Sequence, residues 1–374
     1  MSVNTDPVFW EGKRVFMTGH TGFKGAWASL WLSRMGSRVA GFSLEPPSEP
    51  SLFETAGIEN DLEHHFGDIR DFDALSDAME SFRPEIIFHM AAQSLVRRSY
   101  EEPQETFATN VMGTVNLLEA ARNLDGLKAV VIVTSDKCYE NREQPDMGYN
   151  EDDRMGGFDP YSSSKGCAEL ATNAYRLSFF NPERYGEHGV GVASVRAGNV
   201  IGGGDWAKDR LLPDIVRAFI KEDPVTIRHP GAIRPWQHVL DPVNGYFVLA
   251  QKLWDDPVAA ARGWNFGPDP QNEQSVETIV KKAIQLWGPG ASWNKSNEEH
   301  VHEATYLKLD CAKAFKELGW RPHLPLDDAL RLSIDWYRAF AGNKPGMREM
   351  TISQIDDFQN LIETRNNPNK ENPE

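Results

Sequence analysis

Arg14-Val-Phe-Met-Thr-Gly-His-Thr-Gly-Phe-Lys-Gly25 runs a short apolar segment into three glycines spaced three apart, Gly19, Gly22 and Gly25. The residues that follow, Ala26-Trp-Ala-Ser-Leu-Trp-Leu32, are apolar and predict a helix. In a strand–loop–helix context each glycine has a task. Gly19 permits the tight turn, Gly22 lets backbone approach a pyrophosphate, and Gly25 lets the helix pack close to the strand. The helix start adds free N–H groups and a dipole that favours an anion.

Working outward, further strands are predicted at Arg38–Phe42, His64–Phe66, Ile86–His89, Val130–Thr134 and Val190–Arg196. Helical patterns lie between them at Lys24–Met35, Asp71–Phe82, Glu105–Arg122 and Tyr161–Phe180. Apolar strands alternating with amphipathic helices predict an α/β fold with a doubly wound parallel sheet of Rossmann type. The second half is richer in Pro, Gly and Trp and predicts a smaller C-terminal α/β substrate-binding domain. The expected division is residues 1–197 with a return segment 236–262 for nucleotide binding, and 198–235 with 263–362 for substrate. In the latter, Asp310 is the expected N-cap of a helix Cys311–Leu318 that Gly319 ends. The polar tail 363–374 is expected to be disordered.

Composition fits a soluble enzyme. The chain has 374 residues, 25% charged and 40% hydrophobic, with a net charge of −16 and a pI near 5.1. Such a field argues against nucleic acid or an anionic membrane as partner. The stretch Met1–Trp10 has no apolar core to act as a secretion signal, and no apolar run reaches the ~20 residues that span a bilayer. Cys138, Cys167 and Cys311 are too scattered for zinc or a disulfide framework, so the cytoplasm is the expected compartment. His300 and His302, beside Glu298 and Glu299, fall on one face of a strand, but no third ligand has suitable spacing and no metal is expected.

The run Asp159-Pro-Tyr-Ser-Ser-Ser-Lys165 carries the chemistry. Tyr161 and Lys165, four apart, share one helix face, and the lysine is expected to lower the phenol's pKa from its usual ~10. A phenolate takes a proton from an alcohol while hydride leaves the same carbon. Further markers stand at predicted strand ends, where such sheets bind ligands: Gly67-Asp-Ile-Arg-Asp71, His89-Met-Ala-Ala-Gln93 and Val131-Ile-Val-Thr-Ser-Asp-Lys137.

From about residue 12 to about residue 340 the chain resembles the extended short-chain dehydrogenase/reductase family, in the branch that modifies sugar nucleotides. The resemblance rests on Thr18–Gly25, Asn110-Val-Met-Gly-Thr114, Tyr161-x-x-x-Lys165, Arg196-Ala-Gly-Asn-Val-Ile-Gly-Gly-Gly-Asp-Trp206, Arg234-Pro-Trp-Gln-His-Val239 and Leu318-Gly-Trp-Arg-Pro322. Two segments, His20–Gly25 and Ser135-Asp-Lys137, are similar to those of dehydratases acting on CDP-glucose; most relatives carry Asp-Glu where this chain has Asp136-Lys137. The resemblance implies NAD held by Gly19, Thr21, Gly22, Phe23, Lys24, Gly25, Ser43, Asp68, Ile69, Ala91, Ala92, Gln93, Asn110, Tyr161 and Lys165. It places a nucleotide sugar against Gln93, Ser135, Asn199, Asp205, Arg210, Leu211, Arg234 and His238, with Arg234 suited to the pyrophosphate. It also implies dideoxyhexose synthesis for bacterial surface polysaccharide. Helices Glu105–Arg122 and Tyr161–Phe180, through Val111, Val115, Leu118, Leu170 and Tyr175, would pair two subunits in a four-helix bundle, giving a homodimer or homotetramer.

The implied reaction is dehydration of CDP-glucose, and its logic is chemical. The C5 hydrogen of glucose is not acidic until C4 is a ketone, so hydride is stored on the cofactor first and returned to C6 last. Tyr161 takes the C4 hydroxyl proton, Ser135 holds that oxygen, and Lys165 stabilises the phenolate. Asp136, if protonated, gives its proton to the departing C6 hydroxyl. Lys137 is either the C5 base, which requires it neutral, or an electrostatic stabiliser of the enolate. The bland reading of Asp136-Lys137 is a solvated ion pair. Two other functions share the scaffold: a nucleotide-sugar epimerase, which loses no water, and a non-catalytic NAD-binding protein. At the second strand the usual acidic residue is missing, leaving Ser43 or Glu45 for the ribose. No Arg or Lys between Ser43 and Leu62 would meet a 2′-phosphate, which favours NAD.

Overall fold

The computed structural model describes residues 5–144, 147–297 and 306–366. The pair His300 and His302 and the acidic residues before it lie outside them. Seven parallel strands form the large sheet: β1 (Arg14–Thr18), β2 (Arg38–Ser43), β3 (Glu63–Phe66), β4 (Ile86–His89), β5 (Ala129–Val133), β6 (Gly191–Ala197) and β7 (Gly263–Phe266), in the order β7-β6-β5-β4-β1-β2-β3. The order reverses at β1, whose neighbours are β2 and β4. Alternation explains the two layers of core. Val15, Met17, Phe88 and Val131 face one cluster, while Phe16, Ile87, Val130 and Ile132 face the other. Covered on both sides, these strands read as continuous apolar runs.

Helix α1 (Phe23–Arg34) is buried from Gly25 to Leu32, which accounts for its apolar character all round. It lies between the sheet and the C-terminal helix: Trp31 meets Phe247 and Phe358 edge-on, and Arg34 pairs with Asp356. Truncating a buried ring of this size costs ~3–5 kcal/mol.

The expected domain boundaries shift in three places. The return of the chain to the large sheet does not stop at residue 262, because β7 pairs with β6 from Gly263↔Ser194 to Phe266↔Ala197. The final helix, Met347–Asn366, mostly within the expected substrate domain, packs beside α1, and Arg348 forks onto Asp61. Helix also continues through residues 363–366, where a disordered tail is expected. Its last turns gain from order on that buried face, with Ile362 1% exposed. The small domain holds a three-stranded sheet (Glu273–Ser275, Ile233–His238, Asn199–Ile201) and a two-stranded one (Val225–Ile227 with Trp293–Lys295). Asp310 accepts from Ala312 N at 2.8 Å, and Gly319 ends that helical stretch at φ +68°. Among the described residues no helix is long and apolar enough to cross a membrane.

The helix Leu240–Asp255 is tied down by a buried carboxylate. Asp241 accepts from the backbone N–H of His323 (2.7 Å) and Leu324 (3.2 Å), and burial pushes its pKa up to about 7. A carboxyl raised on folding stabilises most below its unfolded value of ~4, and that contribution is lost as pH rises through about 7. Thermal unfolding of the parent and of Asp241→Asn across pH 4–7 tests this. The parent should lose stability relative to the variant by up to ~1.4 kcal/mol per pH unit. A pH-independent difference between the two would contradict it.

Candidate active site

The glycine loop sits at the point where strand order reverses. Gly19 adopts φ +77°, and a Cβ there would lie 2.6 Å from Ala91 N, so the loop presses on the backbone after β4. At Gly25 a Cβ would lie 2.2 Å from Gly19 O. Both positions therefore require glycine. Gly22 differs: a Cβ would meet only Gly19 O, at 3.4 Å, leaving open space beside an α1 N-terminus that no side chain caps. At the β2 tip Ser43 Oγ lies 2.8 Å from Thr21 Oγ1, which donates to Leu44 O, so a hydroxyl pair stands where relatives of this fold place an acid. Asp68 is turned onto Arg70 by a forked ion pair, and Ile69 packs where Gly113 has no side chain.

The predicted helix Glu105–Arg122 contains a π-helical turn at Ala108–Met112. This turn aims Asn110 inward. Asn110 Oδ1 accepts from Gln93 N (2.9 Å), while Nδ2 donates to Gln93 O (2.9 Å) and Ser164 Oγ (2.8 Å). Gln93 is engaged with Thr106 and Leu95, so its amide organises the loop rather than facing a ligand. Ala91 and Ala92 border that loop, half-buried.

The catalytic candidates converge beyond β5. Ser135 caps the turn Asp136–Cys138, accepting from Lys137 N and donating to Asp136 Oδ1 at 3.0 Å. Helix α2 (Pro160–Ser178) starts at Asp159, which accepts from Ser162 N and Ser162 Oγ, and carries Tyr161 and Lys165 in its first turns. Lys165 Nζ donates to Val133 O at 3.3 Å, the carbonyl two residues before Ser135. Ser135, Asp136, Tyr161 and Lys165 are all buried.

Electrostatics corrects one expectation and supports another. The Tyr161 pKa is not lowered: burial pushes it up to about 12, against a hydrogen bond with Ser135 and the charge of Arg210. Lys165 is engaged with a strand carbonyl, and desolvation outweighs the surrounding positive charge. Burial also brings Lys165 down to about 8, with Glu169 opposing. Asp136 is no solvated ion pair. Burial raises its pKa despite Lys137, Ser135 and Arg234, and its buried Oδ2 has no hydrogen-bond partner among the described residues. Lys24 joins this wall. Its Nζ donates to Tyr246 Oη at 3.3 Å, and burial, then Arg210 and Lys165, lower it to about 7.

The family model for GDP-mannose 4,6-dehydratase matches residues 16–332. The chain belongs to the GDP-mannose 4,6-dehydratase family. Among relatives of this family, the CDP-glucose 4,6-dehydratase of Salmonella typhimurium is 58% identical over 335 residues, covering 90% of this chain and 93% of that protein. A dTDP-glucose 4,6-dehydratase of Haemophilus influenzae is 26% identical over 75% of this chain and 84% of its own. In fold the chain is similar to a dTDP-glucose 4,6-dehydratase from Streptomyces venezuelae solved with NAD bound, with TM-score 0.74, 23% identity and coverage of 89% and 99%.

Within this family framework the remaining candidates divide. Arg234 is buried, donates to Ile233 O, and lies within electrostatic reach of Asp136. Arg210 pairs with buried Asp205 and donates to Ser94 Oγ, and Leu211 begins the next helix. Asn199, half-buried, starts the strand that pairs with Trp236. His238 is displaced from the expected substrate wall: fully buried, its ring meets Trp27 edge-on and its Nδ1 accepts from Leu240 N. The sequence reading overlooked three groups. Gly198 allows Asp136 Oδ2 within 3.2 Å of where a Cβ would be. Tyr246 receives Lys24 from 222 positions away. Glu169 holds Thr134 Oγ1, Ser194 Oγ and Arg196 in one buried network. Glu169 had a signal, four residues after Lys165 on the same helix face, and Gly198 stood inside the quoted run Arg196–Trp206; Tyr246 had none.

Proposed function

We infer that the chain is an NAD-dependent nucleotide-sugar 4,6-dehydratase that converts CDP-glucose to CDP-4-dehydro-6-deoxyglucose. The observation that carries it is the buried Asp136 carboxyl, raised in pKa, beside Ser135 and in reach of Tyr161. An epimerase has no need for an acid that releases water. A dehydratase does.

The residues fit the cofactor. Open space at Gly22, uncapped N–H groups of α1 and the Thr21–Ser43 hydroxyl pair suit a pyrophosphate and a ribose. When bound, NAD supplies the store of hydride taken from C4 and returned to C6. The chain's own groups handle the protons. Tyr161 receives the proton of the C4 hydroxyl, and Ser135 holds that oxygen. With its pKa at about 12, Tyr161 needs positive charge to favour the phenolate; Arg210 supplies it, and Lys165 adds to it only on turning from Val133 O toward the phenol. Once C4 is a ketone, the C5 proton leaves to a base and Asp136 protonates the departing C6 hydroxyl, forming water. Lys137, half-buried and in electrostatic reach of Asp136, is our candidate for base or enolate stabiliser. Arg234 and Arg210 neutralise the diphosphate. The test is to incubate the protein with CDP-, dTDP-, GDP- and UDP-glucose and weigh the products. Loss of one water from CDP-glucose is expected, and an unchanged mass with altered C4 configuration would make it an epimerase.

The protein works as a dimer, in our reading. Phe107, Met112, Leu170 and Leu177 are exposed on the helical segments 103–121 and 160–178. Val111 and Val115 are half-buried, and Leu118 packs inside the fold instead of at this face. Two copies pairing these helices would bury the patch isologously. Light scattering at micromolar concentration should return twice the 42.1 kDa chain mass, and a monomer there removes the claim. The cytoplasm, which keeps thiols reduced, suits its three free cysteines.

A further inference from the structure

The buried network around Glu169 reaches both ends of the turn that carries Asp136. Glu169 follows Tyr161 and Lys165 along one face of α2. Arg196, on β6, forks onto it: Nε donates to Oε1 at 3.0 Å and Nη2 to Oε2 at 2.8 Å. Thr134, the residue before Ser135, donates its hydroxyl to Glu169 Oε1. Tyr139, the residue after Cys138, accepts from Arg196 Nη1 at 2.6 Å and donates to Asn265 Oδ1 of β7 at 2.8 Å. One ion pair therefore grips the turn Asp136–Cys138 from both sides, and its carboxylate belongs to the helix that bears Tyr161 and Lys165.

Glycines make room for this arrangement. At Gly263 a Cβ would lie 2.6 Å from Arg196 Nη2, so β7 opens a path for the guanidinium. At Gly166 a Cβ would lie 3.2 Å from Cys138 O, so α2 presses directly on the turn. The Arg196 and Glu169 side chains are 5% and 4% exposed. Burial works against the Glu169 charge, yet Arg196, Thr134 and Ser194 hold the carboxyl below its usual range, and burial keeps Tyr139 a neutral phenol. Such a pair is weak support for stability, because desolvation offsets much of its attraction and apolar residues of similar volume often serve as well. What it adds over apolar packing is direction, through donors and acceptors at fixed positions.

We propose that Glu169 and Arg196 are positioning residues that, through Thr134 and Tyr139, set Ser135 and Asp136 in register with Tyr161 for the two halves of the reaction. The proposal rests on the dehydratase reading above. Ser135 and Asp136 stand on the turn after β5, whereas Tyr161 stands on α2, and all three must meet one sugar. Neither Glu169 nor Arg196 touches that sugar. A displacement of about 1 Å between reacting groups can lower a rate by ~10²-fold, which is why the register matters.

Glu169→Gln is the obvious variant, but it leaves Arg196 buried without its counter-charge and endangers the fold. Thr134→Val and Tyr139→Phe instead cut one tie each and leave the fork intact. Each should lower kcat for CDP-glucose roughly 10-fold, less than a full 1 Å misplacement, with KM and calorimetric CDP binding as in the parent. Thr134→Ser, which keeps the hydroxyl, should restore parental turnover. In an Asp136→Asn background Thr134→Val should cost no more than ~2-fold further, because the acid it positions is already gone. Parental kcat in both variants overturns the proposal, as does an equal loss in the two backgrounds or a Thr134→Ser as slow as Thr134→Val. Loss of CDP binding together with turnover would make the network structural only and overturns it too. If the parent itself releases no water from CDP-glucose, the dehydratase reading has failed, and this role falls with it.

Discussion

Tyr161→Phe is expected to lower turnover of CDP-glucose by ~10²–10⁴-fold while CDP binding stays as in the parent. The substitution removes one oxygen from a buried ring, so the wall it fills keeps its shape. Its backbone carbonyl still receives Ser164 Oγ at 2.7 Å, and the turn that carries Lys165 is undisturbed. What disappears is the hydroxyl that is hydrogen-bonded with Ser135 and that receives the C4 proton in the proposed mechanism. Stopped-flow absorbance of reduced nicotinamide separates the step from product release. Turnover within a few-fold of the parent would remove Tyr161 from the mechanism.

The second large effect divides the reaction at its middle. Asp136→Asn with Lys137→Met should still oxidise C4, since Tyr161, Ser135 and Lys165 are untouched. Asparagine retains a carbonyl oxygen for Ser135 Oγ, and the Lys137 backbone N–H that donates to Ser135 does not depend on its side chain. Elimination should fall by ~10²–10⁴-fold for want of an acid and a base or stabiliser. Reduced nicotinamide would then accumulate with little 6-deoxy product, and C5 hydrogen exchange in deuterated water would slow. Normal dehydration would make both residues bystanders. Failure to reduce NAD at all would mean that the pair positions the sugar or cofactor instead.

How much of this was legible depends on the range of the interaction. Six of the seven strands stand within a residue of their expected ends; for all of these but the exposed edge strand β3 the reason is that a strand covered on both faces is a run of apolar residues visible locally. The seventh, Gly263-Trp-Asn-Phe266, is too short to show a period, and its polar Asn265 is buried against Tyr139, Tyr149 and Asp310. The glycine loop was readable for the same local reason as the strands. The rise in the Tyr161 pKa was not, since it follows from burial and from Lys165 turning to Val133, neither of which spacing encodes. Arg97, Asp209 and Arg228 read in the sequence as ordinary surface charges; only folding brings both arginines to one oxygen of Asp209.

The late arrival of β7 has a consequence for how the chain is made. Between Ala197 and Gly263 the ribosome must deliver much of the small domain before the sheet can close. During those seconds of synthesis β6, buried along all its residues in the finished protein, is an unpaired apolar edge. An unpaired strand edge is a template for pairing with another chain, and β7 removes it only once the small domain has been made. The nucleotide-binding half cannot be cut away as an autonomous piece. Its last strand is on the far side of the domain it would leave behind.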